Sequence, residues 1–329
     1  MKKLNDLIRR IKVNIQLMKP ITKYLLFVLI ASTILLILLS LNIAQATTNG
    51  LNFANQPIDL RDIETKKIRV DDIEMAYKIF GNGPPILLIN GYSAPLDFWD
   101  PHLISKLASN HTVITFDNRG IGNTSLGNKQ FSIPQFARDT TGLMDTLEIN
   151  RADILGWSMG GMVAQELAIS NSDKVNKLII YGSICGGNQS VPPKNEVINE
   201  FSDQTENTTQ RLEKFLPLLF PEQWRIDNPN LIQELPRSTE ISPIKTLDLQ
   251  MEAITSWEGT CNRLKNITNP TMVLVGTDDV ITVPENSMLM ASKITGSWLI
   301  QMEGGGHAVM MQYPEKFSSI IDVFLSSQT

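Results

Sequence analysis

Three residues far apart in the chain carry the groups that acyl transfer requires: a serine hydroxyl, an imidazole and a carboxylate. Ser158 lies in Gly156-Trp157-Ser158-Met159-Gly160-Gly161, a G-x-S-x-G pattern between an apolar run (Ala152–Trp157) and a helical pattern ending near Ser170. Flanking glycines permit a sharp, strained turn that lifts Oγ above a sheet, and the helix N-terminus behind it favours developing negative charge. Taken alone, the serine reads best as a helix N-cap. A serine nucleophile also needs a base and a group to orient that base. Of three histidines, His102 follows a proline at a predicted helix start and His111 opens a buried strand, both surface or structural positions. His307 follows Gly304-Gly305-Gly306 in the loop after the last predicted strand, where three glycines free the backbone to aim an imidazole across a sheet. The acid is expected from Gly276-Thr277-Asp278-Asp279, after the preceding strand. Asp279 is the choice and Asp278 the fallback, since adjacent side chains point apart.

The elements that must hold these residues follow from hydrophobic pattern. Ile68–Val70 and Ile73–Phe80 alternate around Asp71-Asp72, which predicts an antiparallel hairpin. Beyond Gly81-Asn82-Gly83-Pro84 come short continuous apolar runs: 85–90, 111–116, 152–157, 177–181, 271–275 and 298–302. Strands without alternation are buried on both faces, as in a parallel sheet covered by helices. Helical periodicity occupies 133–147, 160–170, 284–294 and 314–325. The fold class is therefore α/β, a mostly parallel doubly wound sheet entered by a hairpin. About ninety residues separate Tyr181 from Thr271 without a buried strand, and they contain apolar helical patterns (Phe215, Leu216, Leu219, Phe220; Leu247, Met251, Ile254, Trp257). An insertion after a strand's carboxyl end lies over the ligand-binding face of such sheets, so residues from about 186 to 262 are read as a helical cap. Most of its apolar residues are expected to be core, the rest lining an apolar acyl or alkyl pocket.

The formal charge of −5 conceals a division. Residues 1–24 carry seven lysines and arginines against Asp6, a charge of +6, leaving −11 for the remainder. The uncharged run Leu25–Leu41 follows, and at 1.5 Å per residue it nearly spans a hydrocarbon core of about 30 Å. A basic flank before such a run predicts a cytoplasmic N-terminus and an extracytoplasmic body. Residues 1–46 read either as a retained membrane anchor or as a signal peptide cleaved after Ala44-Gln45-Ala46. Residues 47–66 read as a linker and 67–329 as the α/β domain that carries Ser158, Asp279 and His307. Mild acidity without a basic stripe in the body excludes a nucleic-acid binder. Two cysteines and three histidines leave little for a metal site. Cys185 reads as a packed small hydrophobe, with a bond to Cys261 open outside the cytoplasm.

Five motifs together resemble the α/β-hydrolase superfamily, in particular its cap-containing esterases, perhydrolase-type haloperoxidases, prolyl iminopeptidases and carbon–carbon bond hydrolases. They are LLINGYS, FDNRGIGNTS, GWSMGG, VGTDDVIT and GGGHAVMMQYPEKF, and the likeness extends from about Ile68 to Leu325. The order Ser158, Asp279, His307 is the one that superfamily uses. The resemblance implies an oxyanion hole made by the backbone N–H groups of Tyr92 and Met159, and chemistry without a cofactor. It also marks a departure: Asn90 stands where the family usually has the histidine that steadies the oxyanion loop. Asp117-Asn118-Arg119-Gly120 reads as structural, with Arg119 pinning the loop by charge-assisted bonds. Gly120-Ile121-Gly122 fails as a phosphate loop, because Ser125 stands where the third glycine belongs.

The function expected is serine hydrolysis of a small or medium carboxylic ester. Amide and carbon–carbon bond hydrolysis use the same triad and remain rivals. A serine at the elbow disfavours epoxide or haloalkane hydrolysis, which needs a carboxylate nucleophile. A ligand-binding receptor keeping an inert triad is the non-enzymatic rival.

Overall fold

Residues 57–202, 208–230, 235–236 and 242–328 are described by a computed structural model of the chain. The basic and apolar segment 1–46, and the linker as far as residue 56, lie outside them. Among the described residues, no helix is long and apolar enough to cross a membrane.

The predicted hairpin is β1 (Lys66–Val70) and β2 (Ile73–Gly81), antiparallel, turning through Asp71 at φ +52°. The chain continues through β3 (Pro85–Ile89), α1 (Pro101–Ala108), β4 (Thr112–Phe116), α2 (Ile133–Thr146), β5 (Ala152–Trp157), α3 (Met159–Ser170) and β6 (Val175–Tyr181). Among the described residues four α-helices follow, α4 (Asn195–Ser202), α5 (Thr208–Leu219), α6 (Glu222–Asp227) and α7 (Ile244–Thr255), then β7 (Thr271–Gly276). The chain ends with α8 (Pro284–Lys293), β8 (Trp298–Met302), α9 (Val309–Gln312) and α10 (Pro314–Ser326). All eight strands form one sheet in the order β1-β2-β4-β3-β5-β6-β7-β8, and every pairing from β4 through β8 is parallel.

The apolar runs behave as their composition requires. Every residue of β5 and β7 is buried, and α3, with ten of its twelve residues buried, packs against β5 and β6. Each fully buried Leu, Ile or Val contributes about 1.5–3 kcal/mol, so the centre of the sheet is its most stable part. The last strand departs from the expectation of two covered faces. Trp298, Ile300 and Met302 turn inward while Leu299 and Gln301 are exposed, because β8 is an edge strand with one helical face.

Two anchors fix loops around the sheet. The Arg119 guanidinium is wholly buried and makes bidentate pairs with Asp139 (2.7 and 2.8 Å) and Asp72 (2.7 and 2.9 Å). Burial works against the charged guanidinium, but the two carboxylates more than offset it and raise its pKa. Asp117 accepts from the N–H groups of Leu96 and Asn123, so a carboxylate fills the turn where a phosphate loop would hold its ligand. At the root of the α4–α7 segment, Cys185 and Cys261 form a disulfide with Cα atoms 4.9 Å apart. This corrects the reading of Cys185 as a packed thiol: two cysteines 76 positions apart meet because the insertion that leaves after β6 comes back to the same loop, where the Thr260 N–H donates to the Cys185 carbonyl (2.7 Å). Beside them Glu166 of α3 accepts from Trp257 Nε1 (2.8 Å) and pairs with Arg263 (2.6 Å), and Gln165 accepts from Thr260 (2.6 Å).

Candidate active site

The top of the sheet collects four loops at carboxyl ends of parallel strands: after β3 (Tyr92), β5 (Ser158), β7 (Asp279) and β8 (His307). Ser158 has φ +56° and ψ −120°, a conformation that non-glycine residues rarely hold and that costs about 1–3 kcal/mol. It occupies the N-cap position of α3, yet its side chain makes no capping hydrogen bond, which removes the N-cap alternative. The turn is possible because its glycines have no room for more: a Cβ on Gly160 would stand 1.9 Å from the carbonyl oxygen of Ile89. That close approach of α3 to β3 also brings Gly91, before Tyr92, against the serine side chain.

His307 and Asp279 meet directly, with Nδ1 and Oδ2 2.8 Å apart and both residues buried. Asp278 is exposed and bonds Thr277 instead, so the fallback does not face the imidazole. Burial pushes the Asp279 carboxyl upward, but His307 and hydrogen bonds from Thr282 hold it below the ordinary carboxylate range. An ionised carboxylate only accepts, so the shared proton belongs to Nδ1 and the lone pair is left on Nε2, the tautomer a general base needs. The histidine backbone is pinned as well: its carbonyl accepts from Tyr181 OH (2.7 Å) and Trp157 Nε1 (3.1 Å). Burial raises the Tyr181 phenol well above its usual value, keeping it a donor. His102 and His111 lie elsewhere, His102 exposed on α1 and His111 3.9 Å from Asp153.

The loop after β3 shows how it is held without the family's histidine. Asn90 Nδ2 donates to the carbonyl of Pro95 (2.7 Å), and the Asn90 carbonyl accepts from Asn118 Nδ2 (3.1 Å). Ser93 N–H donates to Gln250 Oε1 of α7 (2.9 Å). Met159 is the first residue of α3, so its N–H is one of the donors that a helix cannot satisfy internally.

Two cavities are bordered by Ser158. The smaller, about 70 Å³, includes Phe98, Trp157, Ser158, Phe215, Leu219 and His307. The larger, about 440 Å³, includes Ser158, Met159, Met162, Val197, Met251 and Ile254. Tyr92 and Ile281 border both, and no Asp, Glu, Lys or Arg among the described residues lines either.

Sequence reasoning did not single out Thr282, Tyr181, Trp157, Asn118 or Gln250. Thr282 carried a signal, three positions after Asp279, where a hydroxyl reaches back to an aspartate. Tyr181 and Trp157 end neighbouring parallel strands in register, which becomes visible only once the strand order is known.

Comparison with known proteins agrees with this architecture. Residues 84–314 match the profile of the alpha/beta hydrolase fold family. A RutD protein of Azorhizobium caulinodans, named for carbamate hydrolysis, is 26% identical over 253 residues, 76% of this chain and 94% of its own. An enol-lactonase from Burkholderia xenovorans LB400 superposes with a TM-score of 0.71 at 24% identity, covering 80% of this chain and 100% of that one. A thermophilic esterase from Thermogutta terrifontis superposes with a TM-score of 0.68 at 25% identity, covering 80% and 98%. With its matched profile spanning most of its length, the chain belongs to the family of hydrolases with the alpha/beta hydrolase fold.

Proposed function

We propose that the protein is a serine hydrolase of uncharged carboxylic esters, with Ser158 as nucleophile, His307 as general base and acid, and Asp279 as the group that orients His307. The observation that carries this reading is the buried His307–Asp279 pair facing the same cavity as a serine in a strained turn. Ser158 Oγ attacks the ester carbonyl carbon while His307 Nε2 takes its proton, and the carbonyl π electrons move to oxygen. The N–H groups of Tyr92 and Met159 hold that oxyanion, a contribution of several kcal/mol. Collapse breaks the carbon–oxygen bond to the alcohol, which leaves with the proton from His307, and the acyl group stays on Ser158. Water, deprotonated by His307, then attacks the acyl carbon; the carbon–Oγ bond breaks as Ser158 takes the proton back from His307, and the carboxylic acid leaves.

The cavities support a direction for the substrate. His307 must reach the leaving oxygen and borders only the smaller cavity, so the alcohol lies there. Met159 borders the larger, which takes the acyl chain. An anionic acyl chain would find no cation among the described lining residues and would lose hydration without a partner. Relatives named for carbamate, enol-lactone and ester substrates all act on acyl–heteroatom bonds, in keeping with this reaction type. Amide hydrolysis and carbon–carbon bond hydrolysis remain the alternatives with the same triad.

Two measurements test the proposal. Purified protein should be labelled by a fluorophosphonate and Ser158→Ala should not. In a series of methyl esters, kcat/KM should rise with the length of an apolar acyl chain and fall at least tenfold when that chain ends in a carboxylate. An unlabelled wild type, or a preference for the anionic esters, overturns it.

We also propose that the body works outside the cytoplasm, either tethered through residues 1–46 or released by cleavage. The Cys185–Cys261 disulfide supports this, because such bonds persist in oxidising compartments.

A further inference from the structure

We propose that Gln250, a cap residue, is a positioning residue for the oxyanion loop, so that helix α7 helps set the geometry in which the tetrahedral intermediate is held. This rests on the reading above, in which the Tyr92 N–H is an oxyanion donor.

Gln250 is wholly buried, and its Oε1 accepts the Ser93 N–H at 2.9 Å across 157 residues of sequence. Ser93 itself has φ +61°, a left-handed conformation that persists only where the surroundings impose it. The Tyr92 N–H therefore lies between two restraints. Asn90, tied to Pro95 and Asn118, fixes the chain before Gly91, and Gln250 fixes the peptide that follows Tyr92. The first restraint belongs to the sheet, the second to the cap.

The Gln250 carboxamide is an uneconomical choice for packing. It shares the apolar stripe of α7 with Leu247, Met251 and Ile254, yet its Nε2 is buried without a hydrogen-bond partner. Methionine would fill the same space without stranding a donor. What methionine cannot do is accept from Ser93. The residue after Gln250, Met251, and Ile254 one turn on, border the larger cavity, so an acyl chain seated there presses on the turn of helix that restrains the loop.

The test compares Gln250→Met, which removes the acceptor, with Gln250→Glu, which keeps one. On a short apolar ester, Gln250→Met should lower kcat about ten- to a hundredfold, less than loss of a donor itself, with KM within about threefold of wild type. A boronic acid that mimics the tetrahedral intermediate should lose affinity by the same factor as kcat, while the melting temperature holds within a few degrees. Gln250→Glu should recover most of kcat. Unchanged kcat and boronate affinity in Gln250→Met overturn the inference. So does a Gln250→Glu variant slowed tenfold or more relative to wild type, and this arm decides alone if the methionine variant fails to fold. Fluorophosphonate labelling of the wild type separates the two levels: without it the hydrolase reading fails, and with it only the role of Gln250 is at stake.

Discussion

At the scale of single residues, the site depends on an imidazole that is held rather than merely present. Asp279 accepts from His307 Nδ1, from the N–H groups of Ile281 and Thr282, and from Thr282 Oγ1. These bonds keep it ionised against its burial and so fix the histidine tautomer. Asp279→Asn should leave the fold in place and lower kcat about 10⁴-fold, because an amide can donate to Nδ1 and stabilise the wrong tautomer. Steady-state kinetics on the preferred ester check this, and a loss below tenfold would remove Asp279 from the proposed triad. The same substitution should alter stability with a definite sign. A carboxyl whose pKa falls on folding adds stability that is complete above the unfolded value of about 3.9 and is lost as pH drops through its folded value. Thermal midpoints of Asp279→Asn should therefore fall below wild type at pH 7 and converge with it at the acid end.

At the scale of elements, strands were legible where both faces are covered. Ala152–Trp157, apolar but for Asp153, and Thr271–Val275, apolar after Thr271, each became a fully buried strand. The 298–302 run has much the same composition, but its partner lies on one side only, and edge position is a property of strand order rather than of the segment. The order of Ser158, Asp279 and His307 was likewise legible, because each follows a strand and parallel strands deliver their carboxyl ends to one face. Gln250 was not: a polar residue on an amphipathic stripe gives no hint of its acceptor 157 positions away. The disulfide escaped a firm reading for the same reason, since its geometry depends on where the insertion returns. That bond supplies an element-scale prediction. Closing a 76-residue loop in the unfolded chain corresponds to about 4.5 kcal/mol in the chain-entropy account, and measured values centre on about 2–4. The Cys185→Ser/Cys261→Ser double variant should melt about 5–15 °C lower than the oxidised protein. Hydrogen exchange should rise first in α4–α7, with β5 and β7 still protected. An unchanged midpoint would show that Glu166, Arg263 and Trp257 hold the root of the cap unaided.

At the scale of the whole molecule, two independent features support the proposal that the body works outside the cytoplasm. Charge is the first: +6 lies before an uncharged apolar run and −11 after it. Basic residues beside a membrane are held at an anionic cytoplasmic surface by about 1 kcal/mol each, which resists translocation of that end and leaves the acidic end to cross. The disulfide is the second, and it owes nothing to the N-terminal sequence. Cytosolic reductants keep thiols free, whereas oxidising compartments preserve such a bond. Each feature has an experimental counterpart in native cells. Alkylation before and after reduction should find both Cys185 and Cys261 unavailable until reductant is added. In cells stripped of any outer barrier, an impermeant amine-reactive reagent should modify lysines of the body. Mass analysis of the N-terminus then divides the two forms: a start near Thr47 means a released enzyme, and an intact basic segment means a tethered one. Free thiols together with a protected body would overturn the extracytoplasmic assignment and leave the hydrolase chemistry untouched, since the hydrogen bonds that hold Asp279, His307 and the oxyanion loop involve neither sulfur.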